Sequence, residues 1–505
     1  MTTRKLDRWE IALVALVFVA GLAIRLYLAS VHYLNPDEID SIQCAIGSWR
    51  QVLHSSLMIT HPPLLIFICH VVRRFSRTDL AYRMVPILCG SVFPLLLFFW
   101  LRRLANTVAA MTLMFLLTLS PYLVGLSVQV RPYTLALFFV SASLLVLELA
   151  MESGRWKLMA LYNILLWLCV VSDYSAAWFV GAAGVFVLLR LGHLPRPLRD
   201  TWIAGQSIAA FLYAMLFQYQ VSMYRGDNEI RLDALTGWLK DEFPRPENMV
   251  AFPFTRTLGQ FEFLMAVPWL GWIAAILFAA GIFVLWTGRT GLERNKARAL
   301  VALLVVPFLL GIAGAYAHQF PYGPSRHCVI MGLFAAAGIA IFLGTLPRRA
   351  GVTLVLGLLL AAPFWSLVQL HDDIPADRHQ KWQIVQAVDY IRATIPPGSL
   401  IFSERVTLDV LSYYSGREER LPWPGVHRYF SENILADTWR VAVRDYAYNT
   451  EREYEDGLAA FRRQYRLNDT EPVWVVDGGW AVVSGPEDPK LPFTKAIQVF
   501  QTAGR

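Results

Sequence analysis

A helix needs about 20 consecutive apolar residues to cross the hydrocarbon core of a bilayer, and this chain offers such stretches repeatedly. They fall at 11–31, 84–101, 106–125, 132–150, 157–172, 174–191, 202–222, 264–286, 299–317, 327–346 and 351–370. The spacing predicts eleven spans. Composition agrees: 56% of the 505 residues are apolar and only 16% charged, and the mean hydropathy is +0.44, against about 45 to 50% and about 25% in soluble domains. A purely soluble enzyme is thereby excluded.

The segment Pro62 to Val72 tests the count, because it reaches Arg73, Arg74 and Arg77 after about ten apolar residues. It is too short to span and reads as a helix lying in the interface. With that segment out of the count, short loops on one side collect sixteen cations: Arg4, Lys5, Arg8, Arg102, Arg103, Arg155, Lys157, Arg190, Arg196, Arg199, Arg289, Arg294, Lys296, Arg298, Arg348 and Arg349. Counting it as a span would move thirteen of them to the other side. The positive-inside rule therefore sets the N-terminus in the cytoplasm, with Arg73, Arg74 and Arg77 as a local exception. A long outer loop at 32–83, another at 223–263 and the tail beyond residue 370 are expected outside, in an inner-membrane, multi-pass protein.

The tail, 371–505, holds 16 basic against 20 acidic residues, a net of −4, so the first 370 residues carry +11 of the total +7. The basic excess belongs to the membrane domain, and nucleic acid is not needed as a partner to explain it. In the tail, a helical pattern at Gln380 to Ala393, the Pro-Pro-Gly turn at 396–398, a strand at Ser399 to Ser403, a helix at Val406 to Tyr414 and a strand at Val473 to Asp477 read as mixed α/β. The fold class expected is thus a polytopic α-helical membrane domain, 1–370, followed by an extracytoplasmic α/β domain, 371–505. The five cysteines (Cys44, Cys69, Cys89, Cys169, Cys328) have no CxxC spacing and read as buried small side chains. Arg4, Lys5 and Arg8 precede the first apolar run, which has no A-x-A-like cleavage site and reads as a retained span.

The polar residues with chemical potential crowd the outer face. Asp37 and Glu38 stand side by side just past the first span, with Asp40 close by, and the same loop continues to His61-Pro62-Pro63. Arg131 precedes a helix-starting proline, Asp173 and Tyr174 make the tight turn between two spans, and Arg326 and His327 open a late span. An arginine at a helix end is most simply a snorkelling anchor, which covers Arg25 and Arg83 taken singly. A carboxylate pair, a His-Pro-Pro step and two separated arginines on one face suit an anionic headgroup such as a lipid phosphate.

Taken in order, a first span holding Arg25, the pair Asp37-Glu38, the step His61 to Leu64, Tyr82-Arg83, Arg131 to Tyr133, Arg326-His327 and an outer α/β tail resemble the GT-C superfamily of membrane glycosyltransferases. Within it, the set is similar to a bacterial branch related to protein O-mannosyltransferases, lipid A aminoarabinose transferases and Rgt-type galacturonosyltransferases. The resemblance covers most of the first 350 residues and implies a polyprenyl-phosphate sugar as donor on the extracytoplasmic side. It implies Asp37 as the catalytic carboxylate with Glu38 as its neighbour, and His61, Arg131 and Arg326 as cations near the donor phosphate. Arg83, Tyr133 and His327 come in with the same motifs as substrate-binding candidates. Asp173 departs from the pattern, since relatives vary there, some with His or Lys.

The chemistry follows on general grounds. A carboxylate within hydrogen-bond reach can take the proton of an acceptor hydroxyl as it attacks the anomeric carbon, and cations can hold the charge that develops on the leaving lipid phosphate. One base and direct displacement predict inversion. Some relatives use a divalent cation, which Glu38 with His61 could hold, but no clear ligand cluster is present and no essential metal or other cofactor is expected. The acceptor, a lipid, glycan or protein, leaves no readable trace. Two other classes compete: a transporter or flippase of a lipid-linked sugar, which would place ionisable groups along the spans, and a catalytically inactive GT-C scaffold.

Overall fold

The structure is a computed structural model that describes residues 6–57, 59, 61–222, 239–347, 380–416, 431–435, 438–444, 450–478 and 490–502. The expected span 351–370, Arg4, Lys5, Arg348, Arg349 and residues 223–238 of the expected loop 223–263 lie outside the described residues. The chain divides into two units, one of residues 1–26, 56–65 and 83–370, the other of residues 27–55, 66–82 and 371–505. The second therefore takes in much of the stretch 32–83 as well as the tail.

Up to residue 104 the helices are α1 (Arg8–Val31), α2 (Pro36–Cys44), α3 (Trp49–Leu57), α4 (Leu64–Arg73) and α5 (Asp79–Leu104). Then come α6 (Thr107–Leu119), α7 (Pro121–Ser127), α8 (Tyr133–Ser153), α9 (Trp156–Val170), α10 (Ala176–Leu188) and α11 (Arg196–Leu216). The membrane part continues with α12 (Phe252–Met265), α13 (Pro268–Trp286), α14 (Arg294–Tyr316) and α15 (Val329–Thr345). Among the described residues, six helices are long and apolar enough to cross a membrane, or seven with α6 and α7 taken as one span bent by 60°. The bend has a local cause: Ser120, forced out of the helical region by the proline that follows, has ψ 118°, and Pro121 restarts the helix at its first position.

Of the eleven stretches read from hydropathy, α9, α10 and α11 are not among these six or seven, and 351–370 lies outside the described residues. α9 and α10 span 15 and 13 residues, on either side of the turn around Asp173. At ten residues, α4 is about 15 Å long, half the core thickness, as expected for a segment that does not cross.

In the first unit α8 packs along α9, α10 along α14, and α15 lies between α6 and α13. Gly281 and Gly338 let α13 and α15 approach so closely that a Cβ at Gly281 would strike the Gly338 backbone, the small-residue contact that membrane helices favour. Buried in α8, Glu148 meets Lys296 Nζ at 2.5 Å and Arg190 Nη1 at 3.1 Å. This trio ties α8 to the end of α10 and the first turn of α14.

The second unit carries α16 (Lys381–Thr394), α17 (Arg405–Tyr414) and α18 (Glu451–Tyr465) with strands β1 (Leu400–Glu404), β2 (Ser431–Leu435), β3 (Trp439–Arg444), β4 (Val473–Gly478) and β5 (Ile497–Thr502). The sheet order is β2-β3-β1-β4-β5, with β3, β1 and β4 parallel and the two edges antiparallel. Phe402, Tyr454, Phe461 and Val475 form the core between sheet and α18. On the loop side α17 packs against α2. Asp79 accepts from Tyr413 Oη at 3.1 Å and Tyr414 Oη at 3.2 Å and pairs with Lys381 Nζ at 2.8 Å. Tyr414 Oη also receives the Leu34 amide at 2.7 Å, next to the residue that caps α2. The tail thus holds the entry to the helix that carries Asp37 and Glu38.

Candidate active site

Pro36 starts α2 and Asn35 caps it. The Asn35 side chain accepts the Glu38 amide at 3.0 Å, and Glu38 Oε2 in turn accepts the Asn35 amide at 3.0 Å. This reciprocal box satisfies two amides that a helix start leaves open, and it engages the buried Glu38 carboxylate in structure. Asp37 sits in the same first turn, where a negative charge is favoured by the helix dipole, and is half-buried. Its backbone oxygen accepts from Ser41 Oγ at 2.9 Å. The pair that looks equivalent in sequence is therefore divided: the Glu38 carboxylate closes the cap with Asn35, and Asp37 is not part of that box.

In the first unit, the sequence candidates His61, Arg131 and Tyr133 come together with Asp173. Pro132 ends the preceding turn and Tyr133 opens α8, which sets Arg131 at the helix mouth, 6% exposed. Arg131 Nη2 lies 2.6 Å from His61 Nε2. A guanidinium can only donate, so Nε2 accepts and the imidazole carries its proton on Nδ1. That nitrogen faces Asp173 Oδ2 at 3.8 Å. Tyr133 stands edge-on to the imidazole at 5.8 Å with the Arg131 guanidinium over its ring at 5.9 Å.

Asp173 is held by the Ser175 amide at 2.8 Å and the Ser175 hydroxyl at 2.5 Å. Burial pushes its carboxyl up, but the proximity of His61 and the two bonds from Ser175 outweigh that and hold it below the usual carboxylate range. It is an anion set behind the imidazole, a role that the sequence left open.

One contributor was missed altogether. α11 runs on into a π-helical turn, Phe217–Val221, of the kind often found at functional sites. That turn presents the buried Gln220, whose Nε2 donates to the backbone oxygens of Ser56 at 3.0 Å, Ile59 at 2.5 Å and His61 at 2.6 Å. Tyr174, next to Asp173, donates to Gln220 Oε1. The main chain of His61 is thus clamped by one amide while its ring is aligned by Asp173. An amide at the end of an otherwise apolar stretch was the available sequence sign.

The remaining candidates are placed as follows. Arg83 is buried in α5, 1% exposed. Arg326 is half-buried in the single 3-10 turn Arg326–Cys328 that leads into α15. His327 beside it faces Glu242 Oε2 at 3.8 Å, and Ser325 Oγ donates to the same Glu242 at 2.9 Å. Asp37 and Glu38 belong to the second unit, the other candidates to the first. Among the described residues, no group of three His, Cys, Asp or Glu side chains comes together that could hold a metal.

With this geometry in hand, the chain has the fold of the GT-C membrane glycosyltransferases, as the ordered motifs led us to expect. Two solved structures illustrate it. The oligosaccharyltransferase of Archaeoglobus fulgidus, tethered to an acceptor peptide, aligns with a TM-score of 0.53 at 11% identity over 94% of this chain and 69% of its own. ArnT from Cupriavidus metallidurans, bound to undecaprenyl phosphate, aligns with a TM-score of 0.51 at 12% identity over 93% of each chain. At such identities the likeness is one of fold. A family model described as dolichyl-phosphate-mannose-protein mannosyltransferase matches residues 60–218, the stretch that holds His61, Arg83, Arg131, Tyr133 and Asp173. Comparison with curated protein sequences finds no match.

Proposed function

We propose that this chain is an inner-membrane glycosyltransferase that moves a sugar from a polyprenyl-phosphate carrier to an extracytoplasmic acceptor hydroxyl with inversion. The observation that carries the proposal is the Arg131–His61 contact at 2.6 Å, backed by Asp173, in a chain whose fold is shared with an enzyme solved with undecaprenyl phosphate. A phosphate carries the charge opposite to the guanidinium's and can accept two parallel bonds from its fork, which a single imidazole nitrogen cannot. An arriving phosphate would therefore draw Arg131 from the imidazole, with His61 and Arg326 adding to the cradle. Counting α1, α5, the α6–α7 pair, α8 to α11, α13 to α15 and the stretch 351–370 as crossings keeps the eleven spans. It also keeps the cytoplasmic N-terminus and the external tail.

In the proposed step, Asp37 takes the proton of the acceptor hydroxyl while its oxygen forms the new bond to the anomeric carbon. The bond from that carbon to the lipid phosphate breaks, and its electron pair leaves on the phosphate, where the cations stabilise it. The scheme assigns no metal a role.

The test is transfer of labelled sugar from polyprenyl-phosphate-linked donors by the purified full chain, read with the release of free polyprenyl phosphate. Asp37→Asn should lower the rate by about a hundredfold to ten-thousandfold with the melting temperature unchanged. Glu38→Gln, which keeps the capping oxygen, should fold normally. An Asp37→Asn protein as active as wild type would overturn the assignment of the base.

A further inference from the structure

Between the end of α2 and α3, in the second unit, lies an open pocket of about 520 Å³ lined by Gln43, Ile46, Arg50, Gln51, His54 and Ser55. Its volume falls within the range of small-molecule sites, about 300 to 1,000 Å³. Five of the six lining residues are polar, and none is a carboxylate. The balance of donors and acceptors is more telling than the charge.

Ser48 and Gln51 form a box at the start of α3: the Ser48 amide and hydroxyl both donate to Gln51 Oε1 at 2.8 Å. With its oxygen occupied, Gln51 offers the pocket its amide N–H groups. Gly47, at φ 109°, makes the turn possible, and a Cβ there would lie 2.8 Å from Gln51 Oε1. Gln43 is 2% exposed, and its Nε2 has no hydrogen-bond partner among the described residues. A buried donor left in that state is costly. Arg50 adds a fork of donors, and His54 and Ser55 add more. The pocket is rich in donors, poor in acceptors and free of negative charge, which calls for an anionic, acceptor-rich ligand.

We propose that this pocket binds an anionic saccharide, one bearing a carboxylate or phosphate, and that this is the acceptor class of the enzyme. The acceptor assignment rests on the glycosyltransferase reading; binding of the anion does not. The loop that carries Asp37 then also carries the acceptor subsite, on the same stretch of chain from α2 to α3.

The experiment uses the full chain in phosphatidylcholine nanodiscs, with glucuronate and glucose as a pair of probes that differ by one carboxylate, read by saturation-transfer NMR without turnover. Glucuronate should bind about tenfold tighter than glucose. Arg50→Glu should remove most of that advantage, and His54→Ala should reduce it severalfold. Both residues are exposed, so neither change threatens the fold. Gly47→Ala, which displaces Gln51, should weaken glucuronate as well.

Equal binding of the two sugars, or glucuronate affinity unchanged in Arg50→Glu, would overturn the proposal. So would a loss of glucuronate binding in Arg131→Ala, since the donor cradle would then be the site observed. Adding phosphatidylglycerol to the disc separates two sources of the same chemistry: competition marks a lipid-borne anion, and its absence a free or glycan-borne one. If the anion binds as stated but no donor is ever turned over, the transferase reading fails and the site stands. If transfer occurs with an acceptor KM unchanged in Arg50→Glu, the reverse holds.

Discussion

The two ends of α8 handle buried charge in opposite ways. Near its C-terminus, Glu148 is closed in by Lys296 and Arg190 at 2.5 and 3.1 Å. At the other end, past Tyr133 and about 22 Å of helix at 1.5 Å per residue, Arg131 gives a bond to an imidazole that a single carboxylate backs. The first cluster is a carboxylate satisfied by cations and leaves nothing for a ligand to do. In the second, the guanidinium has a partner that an anion can displace. In the proposed reading, the difference separates a clasp from a binding site within one bundle. A third buried acid, Asp477 at the end of β4, extends the series: neither of its oxygens has a hydrogen-bond partner among the described residues, and burial pushes it up to about 7.

The contrast can be broken from the strongest side first. Glu148→Ala leaves two half-buried cations without their anion and should destabilise the folded chain by about 1 to 3 kcal/mol, read as a lowered melting temperature. Polyprenyl phosphate affinity of the folded fraction should not change. Arg131→Ala should do the converse, weakening polyprenyl phosphate by about 1.5 to 3 kcal/mol in an equilibrium titration while the melting temperature stays close to wild type.

Asp477 sharpens the comparison through pH. Its folded value of about 7 lies above the usual 3.8, so between those two values the folded state binds more protons than the unfolded one and stability falls as pH rises. Asp477→Asn should remove that slope and, after the cost of a buried amide, gain about 2 kcal/mol above pH 7 but nothing near pH 4. Equal effects at both pH values would contradict the buried, unpaired carboxylate. The smallest change is expected from Asp173→Asn. With the anion behind His61 removed, donor affinity should fall by about 1 kcal/mol, visible only with Arg131 intact.

Hydropathy and charge bias made the membrane helices legible, down to the ten-residue length of α4. They placed α9 and α10 on either side of the turn at Asp173 and Tyr174, to within three residues at each end. In the tail, β1 and β4 fall on the apolar runs at Ser399 to Ser403 and Val473 to Asp477, while β2, β3 and β5 carry too mixed a pattern to be read. Of the site, Asp37, His61 and Arg131 were visible as residue types in order. The division of labour between Asp37 and Glu38 was not, since it depends on the Asn35 cap. Asp173 behind His61 and Gln220 beneath it were hidden for another reason: each acts across more than 100 residues of sequence, through hydrogen bonds that no local pattern records.

The most direct measurement is an experimental map of the full chain with polyprenyl phosphate bound. The account predicts phosphate density within hydrogen-bond distance of the Arg131 guanidinium, with the Arg131–His61 contact lengthened and Glu148, Lys296 and Arg190 unchanged. Phosphate bound at Lys296 and Arg190, with Arg131 still on His61, would contradict it.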